Sequence, residues 1–121
     1  MDVRLLLLVE DEPLIAMTMQ DILESEGFRV VVATDGQAAS QTLEDRLHEL
    51  SALITDIRIG AGPDGWSIAR KARDIRPDLP VLDVTGHGAT DWDKHGVPGS
   101  ALLEKPFAPR RVLAEVKGML S

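Results

Sequence analysis

Residues 4–12 read Arg4-Leu5-Leu6-Leu7-Leu8-Val9-Glu10-Asp11-Glu12. An unbroken apolar run predicts a strand over residues 4–9 buried on both faces, because a strand with one wet face alternates apolar and polar side chains. Three acidic residues follow at once, where that strand leaves the core. Pro13 stands where a helix can begin, since its missing N–H costs nothing in the first turn. Ile15, Met19, Ile22 and Leu23 give this helix an apolar stripe, and Gly27 ends it.

The same alternation repeats along the chain. Residues 29–33 are β-branched and predict a second strand. Asp35-Gly36 turns the chain into a second helix, with Ala39, Leu43, Leu47 and Leu50 on one side. Residues 52–55 predict strand three, and after a glycine-rich loop Ile68, Ala69, Ala72 and Ile75 mark helix three. Pro77 and Pro80 bracket the turn into strand four, residues 81–85. A polar stretch, 86–99, precedes a short fifth strand over 101–103. Val112, Leu113, Val116, Met119 and Leu120 stripe the last helix. Alternating strands and helices, with strands apolar throughout, predict an α/β fold: a doubly wound five-stranded parallel sheet with helices on both faces. In such sheets ligands bind beyond the carboxyl ends of the strands.

Bulk properties limit the function. With 121 residues the chain is expected to be one domain, 1–121. A net charge of −7 disfavours nucleic acid and suits a divalent cation or a basic partner surface. The apolar run from Leu5 is far shorter than the ~20 residues of a membrane span and is followed by no small-residue cleavage site. No cysteine is present, which excludes disulfides and thiolate metal sites. A cytoplasmic location, away from the membrane, is the expectation.

The strand ends carry the chemistry. Strand one ends in Glu10, Asp11 and Glu12, strand three in Asp56, strand four in Thr85-Gly86 and strand five in Glu104-Lys105-Pro106. Clustered carboxylates repel one another unless a cation joins them, and oxygen-only donors favour Mg²⁺ or Mn²⁺. Asp56 is the expected nucleophile, forming an aspartyl phosphate. Lys105 is expected to pair with that carboxylate or with the phosphoryl group, and Thr85 to donate to a phosphoryl oxygen. Lys105-Pro106 invites a cis bond. Taken singly, an Asp after a strand is more often a turn residue or a helix cap, and the acidic triplet a solvated loop. Their joint placement at the ends of strands one, three, four and five carries the functional reading.

Val9-Glu10-Asp11-Glu12, Thr55-Asp56-Ile57, Asp64-Gly65, Val84-Thr85-Gly86 and Lys105-Pro106-Phe107 together resemble the receiver domains of two-component response regulators. The resemblance covers nearly the whole chain and implies a flavodoxin-like sheet in the order 2-1-3-4-5. It implies phosphorylation of Asp56 by a histidine kinase or histidine phosphotransfer protein. Glu10 and Asp11 would be the acidic pair, Asp11 and Asp56 the direct metal ligands, and the backbone carbonyl of Arg58 the last protein ligand. Thr85 and Lys105 would take the family's switch-hydroxyl and lysine roles. A receiver catalyses only its own phosphoryl transfer and dephosphorylation, so no separate enzymatic substrate is expected. If the chain stands alone, its output is a contact with a downstream protein or a phosphorelay step. The alternative is a pseudo-receiver, a binding module with the fold and no phosphorylation cycle. An enzyme or flavin protein on this fold is disfavoured, because no glycine-rich phosphate loop follows strand one.

Several positions depart from the resemblance. Gly60 stands where receivers usually carry proline, in a loop one residue longer and rich in glycine, hence pliable. Leu102 replaces the usual switch aromatic, and the chain has no tyrosine. Residues 86–99 predict a short or mobile fourth helix. Trp92 lies there, either as a contact residue or packed on the sheet. Asp83 falls inside strand four on the same face as Thr85. It is either exposed or paired with a Lys, Arg or His. Arg58 and His87 occupy places that, in the family, resemble gatekeepers of the hydrolytic water.

Overall fold

In the computed structural model, which describes residues 3–86 and 91–121, five parallel strands stand in the order β2-β1-β3-β4-β5. The chain runs β1 (Leu5–Val9), α1 (Pro13–Ser25), β2 (Arg29–Ala33), α2 (Gly36–Arg46), β3 (Leu50–Asp56), α3 (Gly65–Ile75), β4 (Val81–Thr85), α4 (Trp92–His95), β5 (Ala101–Glu104) and α5 (Pro109–Leu120). The expected sheet order and the helices on both faces are both present. The expected short fourth helix has four residues.

The leucine run builds both cores at once. Leu5, Leu7 and Val9 point into one, with Ala39 and Leu43 of α2 and Ile68, Ala69 and Ala72 of α3. Leu6 and Leu8 point into the other, with Met19 and Leu23 of α1 and Val112 and Val116 of α5. Period-two alternation therefore sends neighbouring leucines to opposite layers. Each contributes roughly 1.5–3 kcal/mol by leaving water. β1, β3 and β4 are buried on both faces as expected, but β2, at the edge of the sheet, is only partly covered.

Two stripe assignments differ. Leu50 does not lie on α2: the helix ends at Arg46, residues 47–49 form a single 3-10 turn, and Leu50 opens β3. The Arg76 guanidinium donates to the carbonyls of Leu47 and Leu50 and satisfies the backbone at that junction. Ile75 keeps the helical spacing of α3 but is 54% exposed, because the apolar stripe has rotated away from the core by the last turn.

Candidate functional site

The carboxyl ends of β1, β3, β4 and β5 meet at one edge of the sheet, and a cleft of about 270 Å³ opens there between Asp11, Asp56, Arg58, Thr85 and Lys105. Asp56 closes β3 and is 8% exposed. Its Oδ1 accepts from the backbone N–H of Ile57 at 2.7 Å, and its Oδ2 accepts from Lys105 Nζ at 2.7 Å. The same ammonium donates to Glu10 Oε1 at 3.1 Å. Lys105 is itself fixed by its backbone N–H, which donates to the Thr85 carbonyl at 2.8 Å. The Lys105-Pro106 bond is cis.

Glu10, Asp11 and Asp56 each bring a carboxylate oxygen within 4.8 Å of the others; Glu10 and Asp56 are buried and Asp11 is exposed. Burial pushes the Glu10 carboxyl up to about 7, the neighbouring Asp56 adds to the rise, and Lys105 opposes it. Burial disfavours the charged form of Lys105, but Asp56 and Glu10 outweigh it and hold the ammonium above its ordinary range. Glu10 Oε2 is buried with no hydrogen-bond partner among the described residues. A buried, unsatisfied carboxylate oxygen beside two further carboxylates has the charge and donor chemistry of a site for a hard divalent cation.

The sequence-derived site residues are thus brought together: Asp11, Asp56, Arg58, Thr85 and Lys105 line one cleft, and Glu10 lies beside Asp56, Asp11 and Lys105. Thr85 is buried at its edge. Asp64, part of the resemblance, caps α3 by accepting from the Ser67 N–H at 2.9 Å. His87 lies outside the described residues. Gly65 allows α3 to start directly against β3, since a Cβ there would collide with the Asp56 carbonyl oxygen.

The loop after Asp56 is less free than its glycines imply. Gly60 and Gly62 have φ of 63° and 88°, which only glycine adopts without strain. These turns carry the Ala61 carbonyl to the front of α2, where it accepts from the N–H groups of Gly36 and Gln37 at 3.0 and 3.3 Å. Sequence reasoning missed this cap and the Ile57 amide on Asp56, because backbone groups leave no mark in residue identities. Leu102 is half-buried and stands in register with Asp83. Trp92 is half-buried with its indole N–H donating to Ser100 Oγ at 3.1 Å, so it packs on the sheet.

Residues 6–117 match the family described as the response regulator receiver domain. The response regulator receiver protein CpdR of Brucella abortus is 32% identical over 95% of this chain and 95% of its own length. A transcriptional regulatory protein of Bacillus subtilis, YbdJ, is 29% identical over 95% of this chain; the chain spans about half of its length, as it does for several other relatives. Among solved structures, a response regulator receiver protein from Sinorhizobium medicae superposes with a TM-score of 0.92 at 34% identity, covering 98% of this chain and 95% of that one. The receiver domain of the hybrid histidine kinase CckA superposes with a TM-score of 0.81 at 27% identity, covering 97% and 99%.

Proposed function

This chain belongs to the response-regulator receiver family, and on that premise we propose that Asp56 accepts a phosphoryl group from a histidine kinase or a histidine phosphotransfer protein. Receivers are signalling domains rather than classical enzymes. The observation that carries the assignment to Asp56 is its carboxylate at the cleft, held by the Ile57 amide and Lys105, each at 2.7 Å, beside Glu10 and Asp11. That arrangement gives no support to the pseudo-receiver alternative.

In the reaction an Asp56 carboxylate oxygen attacks phosphorus, the bond from phosphorus to the donor's imidazole nitrogen breaks, and the imidazole leaves. The Ile57 amide and Lys105 fix the carboxylate so that this attack needs little reorientation. Lys105 then remains beside the added negative charge. Thr85, at the edge of the same cleft, donates to a phosphoryl oxygen. Mg²⁺ or Mn²⁺ would be held by Asp11, Asp56 and the backbone carbonyl of Arg58, with Glu10 completing the acidic pair; when bound, it neutralises the phosphoryl oxygens. Dephosphorylation returns the carboxylate, with Arg58 and His87 tuning access of water. Alanine at both positions is expected to change the dephosphorylation rate, and an unchanged rate removes that role.

The length of 121 residues supports a single domain over 1–121, the lack of cysteine a place in the cytoplasm, and the net charge of −7 a protein target rather than nucleic acid. None of the helices formed by described residues is long and apolar enough to cross a membrane. If the chain stands alone, its output is a contact with a downstream protein or a relay of the phosphoryl group.

The test is intact mass after incubation with Mg²⁺ and acetyl phosphate. The chain is expected to gain one phosphoryl group, Asp56→Asn none, and chelation to prevent the gain. A gain on Asp56→Asn moves the site elsewhere. No gain with the small donor or with a cognate kinase overturns the reading.

A further inference from the structure

β4 reads Val81-Leu82-Asp83-Val84-Thr85, a carboxylate in the middle of an apolar strand that is buried throughout. Asp83 is 0% exposed. Its register neighbours on the same face are Thr55 of β3 and Leu102 of β5, neither of them charged. Neither carboxylate oxygen has a close hydrogen-bond partner among the described residues. Among the described residues, the lysine, arginine or histidine partner that the sequence invites is therefore not in contact. An ionised carboxylate in such a place costs several kcal/mol, more than a strand of this length can spare.

The surroundings of Asp83 are polar, and two of its three polar neighbours spend donors elsewhere. The Trp92 indole N–H, the Ser100 hydroxyl and the Arg73 guanidinium lie near enough to favour its charged form. Trp92, however, donates to Ser100 Oγ at 3.1 Å. Arg73 donates Nε to the Leu79 carbonyl at 2.6 Å and Nη1 to the Pro98 carbonyl at 2.5 Å. Among the other charged groups of α4, Lys94 and His95 are exposed, and the His95 ring lies against Trp66 with centroids 5.9 Å apart. Burial outweighs these neighbours and pushes the Asp83 carboxyl up to about 7.

Trp92 belongs to α4 and Ser100 to its connection with β5. α4 has four residues, and no side chain caps its start. Its indole is seated against Gly96, where a Cβ would come 2.6 Å from the Trp92 ring. A four-residue helix has little stability of its own and depends on this seat. Among the described residues, lifting it is the least costly way to bring water to Asp83, since Thr55 and Leu102 belong to the sheet and Arg73 to the eleven-residue α3.

We propose that Asp83 is a proton-operated latch on α4: the neutral carboxyl tolerates burial beneath Trp92 and Ser100, whereas the ionised carboxylate, whose desolvation outweighs the pull of those two donors, reaches water by lifting them off. The proton is given to solvent on opening and recovered on closing. Asp56 stands in register with Val84, so its side chain lies on the opposite face of the sheet from Asp83.

The experiment follows acrylamide quenching of Trp92 in Trp66→Phe, where it is the one indole in the chain. The quenching constant is expected to rise about threefold between about pH 5 and pH 9, with a midpoint near the Asp83 value of about 7. In Asp83→Asn it is expected to stay low at every pH, and in His95→Gln the transition is expected to persist. A transition that survives Asp83→Asn, or one that disappears in His95→Gln alone, overturns the latch, as does a flat profile in the parent. If Trp66→Phe does not fold, fluorotryptophan at both positions gives two fluorine signals. The same transition must then appear in one of them and be absent from both in Asp83→Asn.

Discussion

Glu10 and Asp83 are two carboxyls that burial drives up to about 7, one at the end of β1 and the other inside β4. Glu10 has an ammonium at 3.1 Å and two further carboxylates within 4.8 Å. Asp83 has no close partner among the described residues and only the weaker pull of Trp92, Ser100 and Arg73. Equal burial therefore has different remedies. At Glu10 an added cation relieves the repulsion, so the cost becomes a reason to bind one. At Asp83 only a proton or movement of the cover relieves it. A functional site differs from a latch in what the surrounding residues leave room for.

The sharpest way to break this comparison is to remove the Asp83 carboxyl. Its folded-state value, about 7, lies above the ordinary 3.8. The stability it contributes is thus complete below about pH 3.8 and lost as pH rises to about 7. The loss amounts to about 4 kcal/mol if α4 stays closed, and less if it opens. Asp83→Leu is expected to raise stability at pH 8 by about 2–4 kcal/mol and to change it far less at pH 5, measured by urea unfolding. An equal effect at both pH values would mean that Asp83 does not titrate in this range.

A smaller effect separates the two carboxyls by metal. Glu10→Gln is expected to flatten part of the fall in stability between its ordinary 4.5 and about 7, by the same sign as for Asp83. Mg²⁺ at about ten times its dissociation constant is expected to stabilise the chain at pH 8 by about 1.4 kcal/mol. Asp11→Asn should remove that gain and Asp83→Asn should leave it intact. If Mg²⁺ stabilises Asp11→Asn just as well, the cation is held elsewhere.

The smallest expected effect has the opposite sign. The Asp35 carboxylate accepts from the Ala38 N–H at 2.8 Å at the start of α2. There a carboxylate helps, and Asp35→Ala is expected to cost about 1 kcal/mol in the same urea assay. A neutral or stabilising outcome would show that the Ala61 carbonyl alone suffices to cap this helix.

The strands and the cleft residues were legible because apolar runs and charged residues at strand ends follow directly from burial. Leu6 and Leu8 could not face water, and Lys105 had carboxylates as its natural partners. The spacing of Leu50 from Leu43 and Leu47 continues a helical stripe, but the helix ends at Arg46, and Arg76, far along the chain, donates to the carbonyls of the junction. Asp83 was legible as an anomaly, but whether it had a partner depended on where Arg73 spent its donors. That depends on the loop carbonyls of Leu79 and Pro98, whose positions no residue type encodes.

The Ala61 carbonyl gives the site a mechanical constraint. It accepts two N–H groups at the front of α2 while sitting in the loop that follows Asp56. The loop and the helix thus share a joint. Displacing the loop by more than a hydrogen bond's reach either draws the front of α2 with it or leaves two N–H groups searching for water. Any movement that begins at the end of β3 has lost one of its independent directions, and α2 is coupled to the cleft through the backbone.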